Sequence, residues 1–232
     1  MSCNLRFMAL FASLLLSACV SAPPDVQFQR AASGVHTIAV ITPAIPDKPV
    51  LSSLSPVTPL GLFGVIGAVA DARVQEGRVE DYWSELGRRA YSPQAVVLKD
   101  ISAELQSDGF TVAELDIPRL PRQFLAAYSP APQVHADAYL DVVIENYGYA
   151  AGAITEPYRP FVGLQYRLVR ASDGATLMQG IFGYSRFGHD VEPDPAYDFS
   201  TFNDIMADSA RSIAGLNAGF SLGARAIGQA LK

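Results

Sequence analysis

The stretch from Asp137 to Arg186 limits the fold more than any other part of this chain. Asp137 to Tyr149 reads DAYLDVVIENYGY. Leu140, Val142 and Ile144 alternate with Asp141 and Glu145, and Tyr139 and Tyr147 fall with the charged positions. Period-two alternation of this kind predicts a strand with one buried and one wet face. Phe161 to Arg170 repeats the pattern through Val162, Leu164, Tyr166 and Leu168. Ser172-Asp173-Gly174 is a turn signal, and Leu177 to Arg186 completes a hairpin. Gly180 and Gly183 leave both faces of that last strand thin.

The flanking segments add helices and shorter strands. His36 to Thr42 (HTIAVIT) predicts a buried strand that Pro43 and Pro46 end, and residues 47–59 read as a loop. Arg78 to Ala90 places Tyr82, Trp83 and Leu86 at helical spacing. A second helix starts at Ser92-Pro93, an N-cap followed by a first-turn proline. Val97, Leu98, Ile101 and Leu105 form its apolar face, and Gly109 is its stop. Phe110 to Ile117 resumes strand character, and Arg122 to Tyr128 reads as a short helix. From Phe202 to Leu231 the stripe Met206, Ile213, Phe220 and Ile227, with Ala210, Leu216, Ala224 and Leu231 between, predicts one long amphipathic helix, broken near Gly215 or Gly219. The expected class is α/β (α+β): a mixed, largely antiparallel sheet covered by helices, in one domain over residues 35–232.

The amino-terminal region carries the one specific motif. Arg6 precedes an uncharged run from Phe7 to Leu16, which is shorter than the roughly 20 apolar residues that cross a bilayer and has the length of a signal-peptide core. Leu16-Ser17-Ala18-Cys19 follows. This resembles the lipobox of bacterial lipoproteins: Leu, two small residues, then Cys. The resemblance implies a signal peptide over residues 1–18, cleavage between Ala18 and Cys19, and lipid attached to the Cys19 sulfur. More than one acyl chain would make that anchor a stable one. Val20, where Asp would retain the protein at the inner membrane, implies the periplasmic face of the outer membrane. An ordinary buried cysteine behind an apolar start is the bland alternative. Residues 19–34 then read as a tether. Cys3 and Cys19 are the two cysteines, so the expected domain has neither a disulfide nor a cysteine metal site.

Leu60 to Ala70 (LGLFGVIGAVA) sets Gly61, Gly64 and Gly67 every third residue. It reads as a tightly packed core helix or buried loop, or as a segment that dips into the bilayer or meets a partner helix. The remaining motifs point to no catalytic, cofactor or metal site. Gly219-Phe220-Ser221-Leu222-Gly223 has the spelling of a nucleophile elbow but lies inside the terminal helical stripe, with no later His. Asp190, Glu192, Asp194 and Asp198 line an acidic loop that lacks the Gly and Glu of a calcium loop, since Pro195 and Thr201 stand there. His36, His135 and His189 are not paired at helical spacing. Tyr139, Tyr147, Tyr149, Tyr158, Tyr166 and Tyr184 crowd the sheet region, from strand propensity or as an aromatic binding face. A net charge of −6 gives no footprint for nucleic acid.

The element order, with the hairpin turn Leu168-Val169-Arg170-Ala171-Ser172-Asp173-Gly174-Ala175-Thr176-Leu177, resembles the α/β domain of envelope proteins related to the curli-secretion lipoprotein and the TolB amino-terminal domain. That resemblance implies an accessory or scaffold role with an envelope protein partner rather than catalysis. The alternative expectation is a small-ligand or lipid-binding module using Leu60 to Ala70 and the tyrosine-rich face.

Overall fold

The computed structural model describes residues 28–53, 64–128, 134–153, 155–186 and 190–232. Ala18, Cys19, His189 and residues 60–63 of the glycine-rich stretch lie outside the described residues, as do the side chains of residues 64–73 and 75. The described chain forms α1 (Arg30–Ser33), β1 (Thr37–Ile41), β2 (Val50–Ser53), α2 (Gly64–Arg88), α3 (Pro93–Ser107), β3 (Thr111–Leu115), β4 (Ala138–Ala151), β5 (Arg159–Arg170), β6 (Thr176–Tyr184), a short 3-10 turn, α4 (Phe202–Ala207) and α5 (Ser209–Ala230). One mixed sheet runs in the order β3-β1-β4-β5-β6, with β2 also beside β4. β1 is parallel to β3 and β4, whereas β4, β5 and β6 form an antiparallel meander. The expected class is the observed one.

Helices α2, α3 and α5 cover one face. Ile38 and Val40 of β1, Leu140, Val142 and Ile144 of β4, and Val162, Leu164 and Leu168 of β5 meet Tyr82, Leu86, Val97, Ile101, Leu105, Leu216, Phe220 and Ile227 there. The alternation predicted for β4 breaks at Glu145, where the register with β5 slips between Ile144 and Asn146. That bulge moves Tyr147 to the helix side, next to Tyr149, instead of the wet face expected for it. The other face is not wet near the start of β4 either. Ala39, Ile41, Leu115 and Tyr139 are buried there under Ile117, Leu125, Tyr128 and Val134.

β2 falls within the stretch expected to be a loop. Its pairing with β4 requires Gly148, whose φ is +149° and where a Cβ would sit 1.8 Å from the Val50 carbonyl oxygen. The short helix expected over Arg122 to Tyr128 is absent: Arg122 has φ +56°, and the Leu125 N–H donates to Asp141 instead of to a preceding carbonyl. The terminal helix breaks at Asp208, not at Gly215 or Gly219. Thr201 and Asp204 form a capping box at the start of α4, and Asp208 accepts from the Arg211 N–H to start α5.

The glycines of α5 are instead its contact surface. A Cβ at Gly219 would lie 2.6 Å from Tyr184 and 2.9 Å from Val162, and one at Gly223 would lie 2.5 Å from Leu164. These positions let the helix backbone press onto the aromatic side of the sheet. Overpacking there outweighs the roughly 1 kcal/mol by which alanine favours a helix over glycine. Gly219→Ala is therefore expected to lower stability by about 1–2 kcal/mol, whereas Gly77→Ala in α2, with nothing within 4 Å of its Cβ, should raise it by roughly 0.5–1 kcal/mol. Urea denaturation midpoints of the two variants would show the opposite signs.

Candidate functional site

The end of α2 and the start of α3 decide what stands at the mouth of the parallel strands. Both helices close with the same pair of backbone bonds. In α3 the Phe110 N–H donates to the Leu105 carbonyl and the Gly109 N–H to that of Gln106, both 3.0 Å, with Gly109 at φ +81°. In α2 the Tyr91 N–H donates to Leu86 (3.0 Å) and the Ala90 N–H to Gly87 (2.9 Å), with Ala90 at φ +51°. An alanine thus fills a left-handed position that glycine usually takes. The turn delivers Tyr91 directly into Ser92, whose Oγ accepts from the Ala95 N–H at 3.2 Å and starts α3 behind Pro93.

A cleft of about 390 Å³ opens beside this turn, at the carboxyl ends of β1 and β3. Trp83, Tyr91 and Pro93 form one wall, Ile45 and Pro46 another, and Leu120 and Pro121 the third. Leu120 is 66% exposed. Tyr91 donates its hydroxyl to Asn217 Oδ1 of α5 at 2.9 Å, and burial pushes that hydroxyl above the usual tyrosine range, so it stays a neutral donor. Gln94 Nε2 donates to the Pro43 carbonyl at 2.8 Å, tying α3 to the chain leaving β1.

Beneath the cleft lies a buried ionic clamp. Asp141 is fully buried. It accepts from Arg119 Nη2 (2.6 Å), the Leu125 N–H (2.9 Å) and the Tyr128 hydroxyl (2.7 Å). Arg119 also donates to the carbonyls of Thr42 (3.1 Å) and Gln123 (2.7 Å). Arg167 donates to the Tyr128 hydroxyl at 2.6 Å and to the Leu125 carbonyl at 3.1 Å, and lies 4.6 Å over the Phe124 ring. Tyr128 stacks on Tyr139 at 6.0 Å. Burial, then the bond to Asp141, push the Tyr128 hydroxyl up. The clamp fixes residues 117–128 on the sheet, and with them the Leu120 wall. With Arg119 paired to Asp141, the cleft offers aromatic, proline and leucine side chains beside the polar Asp47, Ser92 and Gln94.

Sequence reasoning picked out none of this, because Asp141 read as a wet strand residue and Arg119 lay between prolines. Nor does the structure bring the sequence-selected residues together, apart from Glu192 and Asp198, which share Arg159 at 3.5 and 3.1 Å. The Gly219 to Gly223 motif sits in mid-helix, and Ser221 Oγ donates to Asp100 of α3. Asp190 accepts from the Gly183 N–H, Asp194 from the Ala196 N–H, and Asp198 from Arg159. His36 is exposed at the start of β1, and His135 lines a separate depression of about 410 Å³ near Arg170, away from the cleft. The six sheet tyrosines are all buried, and Tyr139 also lines the depression beside His135. Tyr149 donates to the Ser212 carbonyl at 2.8 Å and packs edge-on to Phe199 at 5.5 Å. Helix α2 runs on unbroken from Gly64 to Arg88, and no described helix is long and apolar enough to cross a membrane.

Removing one partner of a buried ion pair leaves the other charge uncompensated, at roughly 3–5 kcal/mol. Asp141→Ala is expected to destabilise the domain by that amount. The joint replacement Asp141→Leu with Arg119→Met should cost less than Asp141→Ala alone, as read from denaturation midpoints.

No family model matches the chain, and no curated protein matches it. Similar solved structures include protein XCC0632 from Xanthomonas campestris, described as DUF330, at 12% identity and TM-score 0.45, over 89% of this chain and 86% of that one. The PelC dodecamer from Paraburkholderia phytofirmans aligns at 13% identity and TM-score 0.33, over 68% of this chain and 75% of its own. Lipoprotein GNA1162 from Neisseria meningitidis aligns at 18% identity and TM-score 0.26, over 77% and 97%. The resemblance to curli-secretion and TolB domains gains no support from them. At these identities and TM-scores, the likenesses carry no argument about what this chain does.

Proposed function

We propose that this chain is a lipid-anchored accessory protein of the bacterial envelope, held at the periplasmic face of the outer membrane, whose domain engages a protein partner. The observation that carries the reading is Leu16-Ser17-Ala18-Cys19 behind an uncharged run of signal-peptide length. The cleft walled by Trp83, Tyr91, Pro93 and Leu120 is the surface best suited to the partner. Aromatic, proline and exposed leucine side chains present apolar area at low entropy cost, as interface centres do. The clefts are open to solvent, which suits a protein segment better than an enclosed lipid. With the tyrosines buried, the ligand-carrier alternative would rest mainly on Leu60 to Ala70, whose side chains lie outside the described residues.

Replacing Cys19 with Ala should abolish incorporation of labelled palmitate and leave the protein out of the outer-membrane fraction. Label entering the Cys19→Ala variant would sink the anchoring reading. The partner reading has its own readout. A photo-crosslinking residue at Leu120 should capture one defined envelope protein, and the same residue at His36, exposed at the opposite end of β1, should not. Equal capture from both positions would count against the cleft.

A further inference from the structure

Among the described residues the β5–β6 hairpin leaves one sheet edge open, and Gly183 shows which backbone groups face outward. Its N–H donates to Asp190 Oδ2 at 2.8 Å, and its carbonyl accepts from the Asp190 and Val191 N–H groups, both at 3.2 Å. The Ser185 N–H donates to the Val191 carbonyl at 3.0 Å. These bonds lie on the side away from β5. In an antiparallel ladder, successive residues alternate between facing the neighbour and facing away. The register runs without a slip through Gly183, Ile181 and Gln179. Ile181 and Gln179 therefore also turn their N–H and C=O groups outward, and no described residue takes them up.

The open window is bounded at both ends. Residues 190 and 191 occupy the edge at Gly183, and the register with β5 slips between Met178 and Thr176. Gly180 is the midpoint of what remains. Thr176 to Tyr184 contains no charged residue and no proline, the usual devices that keep an edge from pairing. Ile181 is 71% exposed, more than the other large apolar residues exposed among the described residues. The opposite edge, β3, is shorter and carries Glu114, with Asp116 just beyond.

We infer that β6 pairs antiparallel with β6 of a second copy of this chain, about a two-fold axis at Gly180. The Gln179 N–H and C=O then bond to the partner's Ile181, and Ile181 bonds to the partner's Gln179. A centre on Gln179 would enlist the slipped position at Leu177, and a centre on Ile181 would enlist the capped Gly183. Only the Gly180 axis uses both open residues. It also sets glycine against glycine at the close, non-hydrogen-bonded pair, where no side chains collide. A neutral strand suits a second copy of an otherwise acidic chain, because no like charges meet at the seam. The interface is isologous and closes at two copies. The ladder is short, so the association is concentration-dependent. It does not depend on acylation of Cys19.

Sedimentation velocity of the full chain in detergent, over a range of concentrations, reads this out. The expected result is a mass that doubles as concentration rises. Ile181→Lys places a charge in the seam, and Gln179→Pro removes an outward donor that β5 does not use. Both variants should remain single chains where the parent is mostly paired, and should melt as the parent does at concentrations where it is a single chain. A parent that stays a single chain throughout, or variants that pair as the parent does, would overturn the inference. Slow amide exchange at Gln179 and Ile181 in the single-chain state would overturn it too, because the edge would then be covered from within.

Discussion

Strict alternation along β4 would have sent Leu140, Val142 and Ile144 to the helices and left Tyr147 and Tyr149 on the far side. The bulge at Glu145 reverses the phase, and all five side chains join one core. The energetics favour this by a wide margin. One disturbed ladder position forgoes roughly 0.5–1.5 kcal/mol, while burying each large ring is worth about 2–3 kcal/mol. The rest of the helix layer follows from it. Tyr149 reaches the backbone of α5 at Ser212, and Phe220 fills the space beside Tyr147 at 6.0 Å between rings. α5 can lie that close because its inward positions are glycines.

The opposite face uses a different solution. Residues 117–128 form no helix or strand, so their backbone groups need partners from elsewhere. Asp141, Arg119 and Arg167 provide them from within the sheet and the segment itself. A carboxylate in a strand interior is costly unless fully bonded, and Asp141 is bonded three ways. The shape of the cleft thus depends on an ion pair beneath it, and its walls on apolar packing above.

What could be read from the residues follows the range of the interactions. The hairpin turn, the Ser92-Pro93 helix start and the Gly109 stop are local, and they stand where the pattern placed them. The bulge in β4, the strand at Val50 and the break at Asp208 were not legible, because each is set by a distant neighbour or by a competing cap. Val50 to Ser53 becomes a strand only because Gly148 lets its backbone approach. The cleft was illegible for the same reason: Trp83, Tyr91 and Leu120 come from separate elements, and the residue that fixes the last of them is Asp141.

The way the chain enters the domain bears on how it would be displayed. Phe28 packs against the main core, and Arg30 donates to the Asp108 carbonyl at 2.7 Å while lying 4.0 Å over the Phe110 ring. Those contacts hold the incoming chain at the end of α3 and the start of β3. The cleft lies past the start of α3 and the end of β3, a helix length away at roughly 22 Å. Any anchor placed upstream of Phe28 therefore grips the domain by its base. The Trp83 and Leu120 walls stand at the other end of α3 from that entry point, as the rim of a cup stands away from its stem.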